Sequence, residues 1–196
     1  MPNVYANASF SSCDFGDGFA NSHDLLFVGA LMYKPNIEGI RWFINSVFPG
    51  FRRKYPTARL MVVGRSPSPE ARALCESTPG VELCEDVPDL KEYYRRCRAV
   101  VVPLLAGGGT RIKILEAALA GRPVLSTPIG AEGLELEDRA DILLFGSADD
   151  FNARYSLLNS KSLYRSIVEG ARKTILTKHS TKQFDAVMDE VLGQIS

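Results

Sequence analysis

The sequence is poor in the residues that build metal centres and disulfide frameworks. Its 196 residues include two histidines and four cysteines. No two cysteines form a C-x-x-C pair, and no histidine stands at ligand spacing from a cysteine. We therefore expect no metal site, and we expect reduced thiols at every cysteine. The cysteines are Cys13, Cys75, Cys84 and Cys97.

Long apolar runs and an excess of charge of either sign are also missing. No apolar run approaches the roughly twenty residues of a membrane-spanning helix. Basic and acidic residues both number 23, so the net charge is zero and gives no general attraction to nucleic acid or anionic membranes. The N-terminal stretch MPNVYANASF has no basic or apolar region of a signal peptide. These absences predict a cytoplasmic protein with no membrane span and no nucleic-acid partner.

The remaining composition is typical of a globular protein. A hydrophobic fraction of 45% and a charged fraction of 23% suit one α/β domain with a substantial core. Residues 1–24 are rich in Asn, Ser, Gly and Asp and predict an extended linker, so the domain is predicted at 25–196. Short apolar runs alternate with amphipathic helical patterns, which predicts a Rossmann-like, doubly wound parallel sheet of about six strands.

Several individual elements can be predicted from spacing. A helix follows Pro35 and Asn36 and runs to Phe51, with an irregularity at Pro49-Gly50 where it kinks or ends. The stretch PIGAEGLE after Thr127 predicts a flexible loop at the end of a strand. The last strand is predicted at 141–145, and helices are predicted at 67–77, 90–97, 149–159, 162–176 and 180–195. The last helix has an apolar stripe, which favours self-association.

The most informative stretch is Val100–Thr127, VVVPLLAGGGTRIKILEAALAGRPVLST, which predicts a strand, a glycine loop, a helix and a second strand. Gly107, Gly108 and Gly109 permit positive φ and a ligand close to the backbone. Thr110 suits the N-cap of the helix. The free N–H groups and the positive dipole end of a helix N-terminus attract an anion. The loop therefore suits a phosphate group.

Three charged residues follow the loop. Arg111 and Lys113 place cations in the first helical turn, which is unfavourable to the helix dipole unless an anion lies between them. The alternative is that the glycines only make a tight turn and both cations are solvated, since a glycine loop alone is a weak signal. Glu116 lies three residues after Lys113 on the same side of the helix. Its carboxylate either pairs with Lys113 at the surface or faces a ligand, where it could accept both hydroxyls of a ribose.

Four segments in order carry a resemblance to a known family. They are LLFVGALMYKPNIEGIRWFINSVFPGF, VVGRSPSPE, VELCEDVPDLKEYYRRCRAVVVPLL and PLLAGGGTRIKILEAALAGRPVLST. Together they resemble the nucleotide-binding, C-terminal half of the retaining, group 1 glycosyltransferases of GT-B fold. The resemblance runs from Leu25 to Phe145 and rests on several motifs in the same order and spacing.

The resemblance implies transfer of a hexosyl group from a nucleotide-diphosphate sugar to an acceptor, in bacterial glycan or polysaccharide synthesis. It implies Lys113, Arg111 and Glu116 as catalytic residues, with no cofactor and no metal, because side chains and a helix terminus stabilise the leaving diphosphate. It also implies a separate N-terminal, acceptor-binding domain as partner. Without that domain the chain is expected to be inactive, and the acceptor domain could place it at the inner membrane.

The resemblance also implies which residues bind the donor. Lys34 is a second phosphate contact, with a solvated lysine as the alternative. The loop around Val87 passes beside the nucleotide base and contacts it through backbone groups. Tyr93 and Tyr94 fit core and rim positions better than a stacking platform. The implied donor-binding residues are Gly29, Lys34, Val87, Gly107, Gly108, Gly109, Thr110, Arg111, Lys113 and Glu116.

The chain departs from the family at Gly108, where the widespread pattern has a glutamate near the reacting sugar. A branch of the family carries the string G-x-G-T-R-x-K-x-x-E-A, which this chain matches. The departure leaves a non-catalytic nucleotide-sugar binding or assembly domain as one alternative and a nucleotide-sugar epimerase of the same fold as another. A Rossmann dehydrogenase is disfavoured because the first strand is followed by GALMYKPN and not by G-x-G-x-x-G.

Overall fold

The computed structural model describes residues 22–109 and 111–178, and within them six strands form a single sheet. The strands are β1 (Leu25–Val28), β2 (Leu60–Gly64), β3 (Val81–Glu85), β4 (Ala99–Val102), β5 (Val124–Ser126) and β6 (Leu143–Leu144). Their order across the sheet is β3-β2-β1-β4-β5-β6, and every neighbouring pair is parallel. The predicted doubly wound parallel sheet is therefore confirmed.

Helices connect the strands, as parallel pairing requires. In the part of the chain that the structure describes they are α1 (Lys34–Trp42), α2 (Phe48–Lys54), α3 (Pro69–Ser77), α4 (Lys91–Arg96), α5 (Ile112–Leu119), α6 (Pro128–Ala131), α7 (Ala148–Leu157) and α8 (Lys161–Lys178). No helix among these residues is both long enough and apolar enough to span a bilayer.

The sheet separates two hydrophobic cores. Successive side chains of a strand point to opposite faces, so Leu25 and Phe27 of β1 join one core while Leu26 joins the other. The first core packs against α1, α2, α3 and α7, and the second packs against α4 and α5. Helix α8 contributes to both, since Ile167 lies in the first core and Ile175 in the second. Both faces of the sheet are thus covered, which explains its nearly continuous apolar strands.

The irregularity predicted at Pro49-Gly50 lies earlier in the chain and does not end the helix. Residues Phe43–Val47 form a π-helical turn between α1 and α2, closed by a bond from Phe48 N–H to Phe43 O. Proline at position 49 has no N–H and its ring crowds the preceding turn, so the strain is taken up by widening the helix before it.

Two other predicted boundaries are corrected. The last strand is restricted to Leu143–Leu144, whereas 141–145 was expected. The segment PIGAEGLE is not a loop throughout, because it begins with the short helix α6. Thr127 caps that helix by accepting a 3.0 Å hydrogen bond from Gly130 N–H, and Pro128 occupies the first helical position, where proline is favoured.

The ends of the chain bear on two predictions. The predicted helix 180–195, with its proposed role in self-association, lies outside the described residues, as does most of the predicted linker. At the start of the described chain, Asp24 is buried and its Oδ1 accepts a 2.9 Å hydrogen bond from Arg59 N–H. His23 Nδ1 lies 3.0 Å from the Tyr155 hydroxyl. The last residues of the predicted linker therefore contact the domain.

Candidate functional site

The strand order creates a crevice at the centre of the sheet. β1 and β4 are neighbours, and their following connections lead to opposite sides of the sheet. In open α/β sheets, ligands bind beyond the carboxyl ends of strands at such a switch point. The glycine loop follows β4, and Gly29 directly follows β1, so the sequence motifs of both segments meet there.

A cleft of about 700 Å³, its open mouth included, occupies this switch point. Helix α5 forms one wall, and the first turn of α1 forms the other. The residues that line the cleft include Gly29, Tyr33, Asn36, Gly108, Lys113 and Glu116. Across residues 22–109 and 111–178, no three His, Cys, Asp or Glu side chains are grouped as a metal ion would require.

The glycine loop uses the backbone freedom of two of its glycines. Gly107 has φ of 103° and Gly109 has φ of 101°, values that other residues adopt only with strain. Gly108 faces the cleft, and a Cβ at that position would meet no atom within 4 Å. Thr110, the predicted N-cap, lies outside the described residues, and Arg111 stands at the N-cap position of α5.

Arg111 holds the glycine loop in place through hydrogen bonds to two carbonyl oxygens. Its Nη2 donates to Gly107 O at 2.8 Å and to Ile129 O at 2.9 Å, and the residue is only 5% exposed. One guanidinium thus joins the glycine loop to α6. The alternative of a solvated cation does not hold for Arg111.

Lys113 points into the cleft beside β1. Its ammonium donates a 2.8 Å hydrogen bond to Asn36 Oδ1 and lies 4.7 Å from the centre of the Phe27 ring. The ring face attracts the cation. A Cβ at Gly29 would come 2.8 Å from Asn36 Nδ2 and 3.0 Å from the same ammonium, so a side chain there would crowd both groups.

Glu116 lies on the same helix and lines the same cleft as Lys113, as their spacing predicts. It is 5% exposed, so the alternative of a surface ion pair with Lys113 is wrong. The hydroxyl of Tyr94, which is fully buried on α4, donates to Glu116 Oε2 at 3.4 Å. Tyr94 therefore belongs to the core, as expected, but it also touches the candidate site.

Burial opposes charge on both ionisable groups of α5. It lowers the pKa of Lys113 to about 7, although the nearby Glu116 works in the other direction and Arg111 adds to the lowering. It raises the pKa of Glu116 to about 8, against the Tyr94 hydrogen bond and the Lys113 charge. An enclosed site that contains a lysine and a carboxyl group with pKa values shifted toward neutral pH is typical of ligand-binding and catalytic centres.

A second, smaller cavity adjoins the cleft on the far side of Glu116. It encloses about 320 Å³, open space included, and its lining includes Gly64, Arg65, Leu90 and Glu116. Val87 is buried in the same core as Leu90 but does not itself line this cavity. Glu116 is thus shared by two adjoining spaces.

Lys34 is less closely connected with the cleft than the other predicted residues. Its side chain is 83% exposed, and its ammonium lies 3.7 Å from Glu38 Oε1 on the same helix. Lys34 does not line the cleft, whereas its neighbours Tyr33 and Asn36 do. Its role as a phosphate contact stays a prediction.

Sequence reasoning missed two residues of the site. The sequence pattern predicts Asn36 only as the start of a helix, yet it is 6% exposed and holds Lys113. No sequence motif points to Arg65, although it lines the cavity beside Glu116. A polar residue directly after a helix-starting proline was the available signal for Asn36.

Comparison with known proteins supports the family resemblance. The family model described as "Glycosyl transferases group 1" matches residues 22–158. An uncharacterised 44.6 kDa protein in the cps region of Klebsiella pneumoniae is 28% identical over 117 residues, which are 56% of this chain and 30% of that protein. The chain therefore spans less than a third of this curated relative.

Solved structures show the same fold. The C-terminal domain of the group 1 family protein LpcC from Francisella tularensis has a TM-score of 0.63 at 18% identity, over 82% of this chain and 88% of that domain. Anabaena HepE in complex with UDP-glucose has a TM-score of 0.67 at 17% identity, over 90% of this chain and 50% of HepE. The fold is therefore that of the C-terminal half of a GT-B glycosyltransferase. With more than half of its length matched by the family model, this chain belongs to the group 1 glycosyl transferases.

Proposed function

We propose that this chain is the donor-binding half of an enzyme that transfers a hexosyl group from a nucleotide-diphosphate sugar to an acceptor. One observation carries the proposal. Lys113 and Glu116 project from one helix into a single cleft at the switch point of the sheet, beside a glycine loop. A cation for phosphate and a carboxyl for ribose hydroxyls are thereby held on a rigid element.

The diphosphate would bind at the start of α5. The N–H groups of Ile112 and Lys113 precede the first bonds within that helix and are available to an anion. The Lys113 ammonium adds a positive charge, and a bound anion would in turn stabilise this charged form of the lysine. The Arg111 guanidinium adds a second positive charge beside the glycine loop, although its Nε has almost no accessible surface.

The nucleoside would bind on the other side of Glu116. The carboxyl at that position is shared by the cleft and the smaller cavity, so a ribose between them reaches it from either space. The backbone around Val87 would then lie next to the base. The fold shared with HepE, which was solved with UDP-glucose, supports a nucleotide sugar as the ligand class.

The chemistry would be electrostatic. The bond from the sugar carbon to the β-phosphate oxygen would break with its electron pair going to the leaving diphosphate, while the acceptor hydroxyl oxygen bonds to the sugar carbon and its proton passes to the leaving diphosphate. Lys113, Arg111 and the start of α5 would stabilise the developing negative charge without a metal. The acceptor would be held by the N-terminal domain of the GT-B architecture, so residues 22–178 by themselves would bind the donor and transfer little.

Calorimetric titration of the chain with UDP, GDP, ADP, dTDP and NAD tests this function. We expect one nucleoside diphosphate to bind and NAD to give no heat. Silence from all four diphosphates at millimolar concentration would contradict the proposal. Binding of NAD in preference to the diphosphates would point to dinucleotide chemistry.

A further inference from the structure

Asn36 is a buried polar residue at the start of a helix. It lies in the first turn of α1, after Pro35. Helix α1 packs close to the chain that follows β4, because a Cβ at Gly39 would come 2.5 Å from Pro103 O. This close approach carries Asn36 across the crevice toward α5.

The Asn36 amide makes two hydrogen bonds that fix its orientation. Its Nδ2 donates to Ala30 O at 3.0 Å, and its Oδ1 accepts from Lys113 Nζ at 2.8 Å. An ammonium can only donate and a carbonyl can only accept, so the reversed amide would lose both bonds. The loop after β1 therefore holds the asparagine, and the asparagine holds the lysine.

The choice of a neutral partner matters for an anion site. An aspartate at this position would pair with the ammonium and cancel its charge. An amide oxygen satisfies one donor of the ammonium and leaves the net positive charge for a ligand. The ammonium also lies 4.7 Å from the centre of the Phe27 ring, whose face attracts a cation without cancelling its charge.

We propose that Asn36 is a positioning residue, which fixes Lys113 Nζ in the cleft and favours its charged form so that it can meet a diphosphate. The inference rests on the proposed function for the identity of the ligand, but the effect of Asn36 on Lys113 is a property of the unliganded chain. The two can therefore be tested apart.

The other charged groups near Lys113 set the background for such a test. From α5, Glu116 favours the charged lysine and Arg111 opposes it, while burial lowers the pKa of Lys113 to about 7. From α4, Tyr94 acts through its bond to Glu116. From α1, Asn36 is the direct partner. Changes confined to Asn36 leave all these groups in place.

The first experiment follows the titration of Lys113 by NMR in the unliganded chain. Asn36→Ala removes the acceptor, so the pKa of Lys113 should fall below its wild-type value. Asn36→Asp has the same shape and adds a negative charge, so that pKa should rise. A role confined to folding would not move the two variants in opposite directions. An unchanged Lys113 titration in both folded variants would overturn the inference.

The second experiment measures affinity for whichever of UDP, GDP, ADP and dTDP binds the wild type, and for its nucleoside. Asn36→Ala should weaken diphosphate binding by about tenfold, since a hydrogen bond to a charged group is lost. Nucleoside binding should change little. In a Lys113→Ala background, Asn36→Ala should have no further effect, and an undiminished effect there would overturn the inference.

Controls separate folding from function. Asn152→Ala removes another asparagine whose Nδ2 bonds a backbone oxygen, Ala148 O at 3.0 Å, on the remote helix α7. It should leave both readouts unchanged. If the wild type binds no diphosphate, the proposed function fails, and the NMR titration still decides whether Asn36 sets the state of Lys113.

Discussion

The Tyr94 hydroxyl and the Glu116 carboxyl meet at 3.4 Å in the interior, between α4 and α5. Tyr94 is fully buried and Glu116 is only 5% exposed, and burial raises the pKa of both. The hydrogen bond favours the ionised carboxyl, but it does not outweigh the loss of solvation. Glu116 therefore lines the cleft with a pKa of about 8, close to neutral pH.

The stability of the fold should depend on pH through Glu116. Its pKa is about 8 in the fold against 4.5 for a free glutamate, so between these values the folded chain binds a proton that the unfolded chain lacks. The free energy of unfolding should fall as pH rises through this window, by at most about 1.4 kcal/mol per pH unit. Glu116→Gln removes this contribution.

Urea unfolding of both proteins between pH 5 and pH 7 measures the effect, because groups that do not interact with Glu116 cancel in the difference. In the wild type, the contribution of Lys113 to stability has the opposite pH dependence and lies above this range. Its pKa is lowered from 10.5 to about 7, so the free energy of unfolding should rise with pH between these values. A wild-type minus Glu116→Gln difference that stays constant with pH would mean that Glu116 is already ionised in the fold.

Two substitutions should separate the ribose contact from the phosphate contact. Glu116→Ala should weaken nucleoside and nucleoside diphosphate alike, by roughly 1–3 kcal/mol, because ligand hydroxyls lose their acceptor. Lys113→Ala should weaken the diphosphate more than the nucleoside. Calorimetry with the two ligands measures both effects.

Lys34→Ala provides the matched comparison for the second substitution. Lys34 is 83% exposed and outside the cleft lining, so its loss should weaken diphosphate binding less than the loss of Lys113. Equal losses for nucleoside and diphosphate in Lys113→Ala would refute the phosphate role of that lysine.

Local sequence patterns predicted the parts of the site that are local in the chain. The spacing of Lys113 and Glu116 placed both on one side of a helix, and the glycines before them indicated a loop at a strand end. The partner of Lys113 could not be predicted in this way, because Asn36 is 77 positions away. Only the tertiary packing of α1 against the chain after β4 brings them together.

The burial of Arg111 and the π-helical turn also depend on tertiary packing. The sequence identified Arg111 as a charge, but its burial depends on carbonyl oxygens of Gly107 and Ile129, one of them in a segment expected to be a loop. The π-helical turn at Phe43–Val47 likewise reflects how the helix accommodates Pro49 while staying on the sheet. Periodicity predicts an element and its buried face, whereas such adjustments are decided by what the element packs against.

A pair of substitutions in the glycine loop tests its backbone requirement. Gly109→Ala should destabilise the fold by roughly 1–2 kcal/mol, because alanine is strained at a φ of 101°. Gly108→Ala adds the same methyl group in open space outside the left-handed region, so stability should be unchanged. Urea unfolding compares them, and equal stability of the two variants would mean that the loop relaxes without cost.

The last prediction concerns the geometry of Arg111. Arg111→Lys keeps the charge but loses the planar group that bonds Gly107 O and Ile129 O together. If the guanidinium orders the loop, amide exchange should become faster around the glycines and α6, and diphosphate affinity should fall by about tenfold. Arg72→Lys, at a half-exposed arginine that pairs with Glu85 on the surface, serves as the control and should change neither. Wild-type affinity and exchange in Arg111→Lys would mean that only the charge at this position matters, and the hydrogen bonds to the two carbonyls would then have no part in shaping the site.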